Sequence, residues 1–81
     1  MNVKILGTGC SNCKRLEALV REVAVAEHLQ PEIEKVTDIP AIMAFGLMHT
    51  PGLVIDGEVK ASGRIPSKAE VAGWLQAAAG K

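Results

Sequence analysis

Aromatic side chains are almost missing from this sequence, which has one Trp, one Phe and no Tyr among its 81 residues. The core must therefore be aliphatic, and there is no set of rings on which nucleic-acid bases could stack. Net charge is missing as well: nine Lys and Arg balance nine Asp and Glu, leaving no basic stripe to follow a phosphate backbone. No apolar run approaches the roughly 18–20 residues that a bilayer-crossing helix needs. The opening Met1-Asn2-Val3-Lys4-Ile5-Leu6-Gly7 lacks the longer apolar stretch and small-residue cleavage site of an export signal. The expectation is a cytoplasmic chain that binds neither nucleic acid nor membrane. Cysteine is scarce too, with only Cys10 and Cys13. A small secreted domain commonly needs four or more to staple itself together. A reducing compartment fits better, and there a C-x-x-C pair is more often catalytic or metal-binding than structural.

What is present is a hydrophobic fraction of 48%, too high for a disordered chain. No repeat, low-complexity segment or linker interrupts it, so residues 1–81 read as a single domain, expected to be a monomer. A chain of this length buries about 60–65% of the surface its unfolded form exposes, which implies a small core.

Asn2-Val3-Lys4-Ile5-Leu6 reads as a short strand ended by Gly7-Thr8-Gly9, whose two glycines allow a tight approach to the next segment. From about Ser11 to His28 the pattern is helical, with Leu16, Leu19, Val20 and Val23 forming an apolar stripe that reaches solvent at Glu27. Glu17 and Arg21 make a favourable i,i+4 pair off that stripe. Pro31 ends the helix, and Glu32-Ile33-Glu34-Lys35-Val36 alternates as a strand with one buried face would. Thr37-Asp38-Ile39-Pro40 supplies cap chemistry for a short helix over Ala41–Phe45, closed by Gly46. Leu53-Val54-Ile55 is a strand core, and Asp56-Gly57 turns it into the partner strand Glu58-Val59-Lys60-Ala61. Ser67-Lys68-Ala69-Glu70 is a capping box opening a last helix with Val71, Trp74, Leu75 and Ala78 on one side. The order β-α-β-α-β-β-α predicts an α/β fold. Its first two strands are parallel and its last two antiparallel, in a four-stranded mixed sheet with helices on both faces.

That order places Cys10 directly before a helix and Cys13 one turn along. Unpaired N–H groups at a helix N-terminus stabilise an anion, so Cys10 is expected to favour its thiolate. Cys13, deeper in the first turn, is spaced to close a disulfide with Cys10 once Cys10 has attacked another disulfide. Thiolates at this spacing also chelate Zn²⁺ or Cu⁺, so a metal-binding module or chaperone stands as the alternative.

Cys10-Ser11-Asn12-Cys13-Lys14, together with the later Phe45-Gly46-Leu47-Met48-His49-Thr50-Pro51-Gly52-Leu53-Val54-Ile55, resembles a thioredoxin-fold protein. More closely, the chain is similar over essentially its whole length to the small redox-active disulfide proteins, a minimal thioredoxin- and glutaredoxin-like family. The resemblance implies a thiol–disulfide oxidoreductase in cell redox homeostasis, with Cys10 attacking and Cys13 resolving. It implies no cofactor beyond a reversible Cys10–Cys13 disulfide. The implied partners are a disulfide-containing protein or small thiol as substrate and a disulfide reductase as electron donor. It also implies a cis Thr50–Pro51 bond beside the cysteines, with the Thr50 backbone pairing to an extended substrate. Thr50, Pro51, Gly9 and Asn12 are the candidate substrate-contacting residues, and no resident metal is expected. Copper chaperones share a C-x-x-C at a strand–helix junction, but resemble β-α-β-β-α-β and end on a strand, whereas this chain finishes on a capped helix.

The sequence departs from thioredoxin proper at three places. Gly9 stands where a Trp precedes the first cysteine, Ser11-Asn12 replaces Gly-Pro, and Lys4 occupies the position of a buried Asp. These changes predict a narrower set of partners. Thr50-Pro51 with Ser62-Gly63 resembles the glutathione-binding stretch of glutaredoxins, without a clear set of cations for both glutathione carboxylates. Met43 and Met48 are expected as core filling, His49 as a loop residue, His28 as a solvated partner of a helix dipole, and Trp74 as a core anchor.

Overall fold

Val3, Ile5 and Leu6 give the first strand apolar side chains on both of its faces, a pattern that suits the interior of a sheet. In the computed structural model, which describes residues 1–7, 11–46 and 49–80, that strand is β1 (Asn2–Leu6) and it lies inside the sheet. The later elements are α1 (Ser11–Ala26), β2 (Glu32–Val36), α2 (Ile39–Ala44), β3 (Gly52–Ile55), β4 (Glu58–Ser62) and α3 (Lys68–Ala78). The four strands run in the order β2-β1-β3-β4. β1 pairs in parallel with β2, from Asn2↔Glu32 to Leu6↔Val36, and antiparallel with β3, from Val3↔Ile55 to Leu6↔Gly52. Asp56 and Gly57 turn β3 into antiparallel β4 with φ of 49° and 85°, the positive values that a two-residue hairpin loop requires. This is the thioredoxin-like α/β arrangement expected from the sequence.

Helices cover both faces. Leu16 and Val20 of α1 and Val71 and Leu75 of α3 are buried against Val3, Ile5, Leu53 and Ile55. Each such fully buried side chain contributes about 1.5–3 kcal/mol relative to exposure. On the opposite face, Ile42 of α2 packs with Leu6 and Val54, flanked by Val36 and Phe45. Local chemistry sets the helix ends. Asp38 Oδ2 accepts from the Ala41 N–H at 3.3 Å to start α2, and Gly46 ends it with φ of 79°. The Ser67 hydroxyl accepts from the Glu70 N–H at 3.2 Å while Glu70 Oε1 accepts from the Ser67 N–H at 3.0 Å, completing the capping box of α3.

Four details differ from the sequence expectations. β2 has no single buried face, because Ile33 packs into the α1/α3 side and Val36 into the α2 side. α1 stops at Ala26, and His28 has φ of 58° in the left-handed region. The His28 N–H donates to Val25 O at 3.1 Å and the Leu29 N–H to Ala24 O at 2.8 Å, so His28 serves the chain reversal itself. Met43 is 65% exposed on α2 because the short helix turns Ile42, not Met43, toward the sheet; it is not core filling. Trp74 is half-buried at the core's margin. Among the described residues no helix is long and apolar enough to cross a membrane.

Candidate active site

β1 and β3 end together at Leu6↔Gly52, and the residues just beyond that pair converge. Gly7 continues β1, with its N–H donating to Val36 O at 3.0 Å. Cys13 reaches the same place from the first turn of α1, where it is buried. A Cβ placed on Gly7 would collide with the Cys13 sulfur, and would lie 3.3 Å from Cys13 Cβ and 4.0 Å from Thr50 Cβ. Gly7, Cys13 and Thr50 therefore meet at one end of the sheet.

The Thr50–Pro51 peptide bond is cis. Pro51 is buried, while Thr50 is exposed on the outer side of this junction. The Gly63 N–H donates to Pro51 O at 2.9 Å, tying the end of β4 to the segment that carries Thr50. Gly63 has φ of 72°, and a Cβ there would sit 2.9 Å from His49 Cβ. Both glycines are thus points of close approach, and together they bracket the Thr50–Pro51 segment.

A cleft of about 110 Å³ opens beside Cys13, lined also by Ile5, Gly7, Lys14, Glu17, Lys35 and Thr37. Glu17, one helical turn beyond Cys13, is fixed by two cations. Arg21 Nη2 lies 2.9 Å from Glu17 Oε2, and Lys35 Nζ lies 3.5 Å from Glu17 Oε1. The hydrogen-bonded Arg21 guanidinium holds the Glu17 carboxyl below its ordinary pKa; Lys35 adds to this, and partial desolvation opposes it. Glu17 is therefore an anion near neutral pH, and Lys35 ties α1 to β2 along the cleft wall. α1 carries no acidic residue in its first turn, so no carboxylate there offsets the partial positive charge of its N-terminus.

Of the candidate residues, Cys13, Thr50 and Pro51 come together here, and Asn12 is exposed on the first turn of α1. Cys10 and Gly9 lie outside the described residues, as does Met48. Lys4 faces away from the α1/α3 core, and its Nζ lies 3.4 Å from Glu34 Oε1 on the neighbouring strand. His28 sits at the far end of α1 and plays no part in the site. Sequence reasoning misses the roles of Gly63 and of the Glu17–Lys35 pair. Ser62-Gly63 is a visible signal, but its packing partner, His49, is not.

Residues 1–76 match the family model described as a thioredoxin domain. A thioredoxin of Methanothermobacter thermautotrophicus is 42% identical over 71 residues, covering 88% of this chain and 92% of the relative. A thioredoxin of Methanocaldococcus jannaschii is 33% identical over 69 residues, covering 85% of this chain and 79% of the relative.

Proposed function

This chain belongs to the thioredoxin family of thiol–disulfide oxidoreductases, and from that premise we propose that Cys10 is its attacking thiol and Cys13 its resolving thiol. The observation that carries the reading is the junction of Cys13, Gly7 and Thr50 where α1 begins, directly after Cys10 in the sequence. The Cys10 thiolate attacks one sulfur of a substrate disulfide, forming a mixed disulfide and releasing the other substrate sulfur as a thiolate. Cys13 then loses its proton and attacks Cys10 Sγ, expelling the second substrate sulfur. The substrate gains two electrons and the cysteine pair loses them, so a dithiol or a disulfide reductase has to restore the pair. The reversible Cys10–Cys13 disulfide takes the place of a cofactor.

Thr50 is exposed next to the junction, and in this reading its backbone pairs with an extended substrate segment. Gly9 and Asn12 complete the proposed contact surface from the cysteine side. We read residues 1–81 as one monomeric domain, cytoplasmic on its cysteine usage, acting on disulfide-containing proteins or small thiols. The element order, with α2 between β2 and β3 and α3 at the end, favours this chemistry over a C-x-x-C metal carrier.

Equilibration in thiol/disulfide buffers, read by thiol alkylation, tests the reading. A reversible two-electron transition is expected, and it disappears in Cys10→Ser. Absence of that transition, with stoichiometric Zn²⁺ or Cu⁺ binding by the cysteine pair instead, refutes it.

A further inference from the structure

We propose that Gly7 is a positioning residue for the resolving step: by presenting no side chain, it fixes the depth at which the Cys13 sulfur sits. The proposal rests on the reading of Cys13 as the resolving thiol. Gly46, Gly57, Gly63 and Gly80 all have positive φ, but Gly7 does not, so its backbone conformation is open to any residue. What excludes a side chain is the Cys13 sulfur, which occupies the place a Cβ would take.

Neither backbone can retreat. Leu6, fully buried, is paired on both sides, to Val36 and to Gly52, and the Gly7 N–H extends the β2 pairing through its bond to Val36 O. α1 is held by Leu16 and Val20, both fully buried. A methyl group on Gly7 therefore displaces the sulfur, and the adjoining space is the cleft beside Lys14 and Glu17. Disulfide closure demands a narrow range of S–S distance and torsion. Displacement of a reacting atom by about 1 Å can cost on the order of 100-fold in rate. The first attack forms its new bond at the Cys10 sulfur, and no bond to Cys13 is made or broken in it. Gly7 thus acts on one half of the reaction.

Stopped-flow reaction of the reduced protein with 5,5′-dithiobis(2-nitrobenzoate) separates the halves. Attack by Cys10 releases one nitrothiobenzoate, and resolution by Cys13 releases the second. Gly7→Ala is expected to slow the second release about 10- to 100-fold and to leave the first within about threefold, with the mixed disulfide visible by mass spectrometry. A folded Gly7→Ala with an unchanged second phase overturns the proposal, as does equal slowing of both phases. If Gly7→Ala does not fold, Gly7→Ala/Cys13→Ala decides. Recovery of folding identifies the sulfur as the obstacle and supports the proposal, whereas failure in both backgrounds overturns it. The underlying reading fails separately: a Cys10→Ser variant whose remaining Cys13 releases one nitrothiobenzoate as fast as the first phase of the unaltered protein refutes Cys13 as the resolving thiol, whatever Gly7 does.

Discussion

Replacing Gly63 by alanine should weaken the fold through two separable effects where the end of β4 meets the segment carrying Thr50 and Pro51. The first is conformational. Gly63 holds φ at 72°, and an L-residue with a Cβ costs about 1–2 kcal/mol in that region. The second is steric. The new Cβ would lie 2.9 Å from His49 Cβ, and crowding of this kind costs about 1–3 kcal/mol. The Gly63–Pro51 hydrogen bond at 2.9 Å opposes any outward movement of the loop that would relieve the contact. The expected total is about 2–5 kcal/mol, a large share of the roughly 5–15 kcal/mol typical of a domain. Urea unfolding gives the measurement: the midpoint should fall with the slope unchanged. His49→Gly removes the opposing Cβ and leaves the conformational cost in place. In a cycle of Gly63→Ala, His49→Gly and the double variant, the steric part should therefore appear as a coupling of about 1–3 kcal/mol. A coupling below about 0.3 kcal/mol, the level of independent sites, would refute the contact argument. A neutral Gly63→Ala would refute both halves.

The remaining predictions concern other parts of the fold. Two hydrogen bonds from Arg64, at 3.1 and 3.0 Å, are the first cause that lowers the Glu70 pKa from 4.5 to about 2, with the Ser67 backbone N–H second. A lowered folded-state value means that the pairing stabilises above pH 4.5 and is lost as pH falls toward 2. Glu70→Gln, which keeps the capping-box acceptor, should therefore flatten the dependence of Tm on pH across that interval; an unchanged acid limb would contradict this. His28 stands where left-handed caps usually carry glycine, so His28→Gly should raise stability by about 0.5–1 kcal/mol in urea unfolding. Trp74 lies beside Ile55, Asp56 and Lys60, at the end of the sheet opposite Cys13. Asn2 and Leu6 mark these two ends and are roughly 13 Å apart along β1. Disulfide formation should therefore leave Trp74 emission nearly unchanged, and a large quench would show that the two ends communicate.

The parts of this fold that are legible in the sequence depend on neighbours close along the chain. Asp56-Gly57 turns because two adjacent residues take positive φ, and Ser67 with Glu70 caps because matching donors and acceptors stand three positions apart. The Cys13 position obeys the same local logic, since a strand, a glycine turn and a helical stripe bracket it. What escapes depends on residues that only the folded chain brings together. β2 looks one-faced because alternation alone does not reveal that two helical layers share its apolar residues, Ile33 to one side and Val36 to the other. Composition points Met43 inward, but a helix as short as Ile39–Ala44 offers the sheet little more than Ile42. The glycines after β1 signal a tight approach without naming its partner, because only packing of α1 on the sheet brings the Cys13 sulfur to Gly7.

The strand order β2-β1-β3-β4 has a consequence for how the chain is made. β1 is synthesised before the other three strands, yet one of its edges has no strand to pair with until Gly52–Ile55 has been made. A nascent chain that has emerged only as far as β2 can assemble a two-stranded parallel ribbon under α1, with Leu6 still lacking its cover from Ile42 and Val54. The Cys13 sulfur then has Gly7 beneath it but no Thr50 beside it. Completion of the sheet and completion of the Gly7–Cys13–Thr50 junction thus both wait for the later strands, and a stalled or truncated chain would present Cys13 without Thr50 beside it.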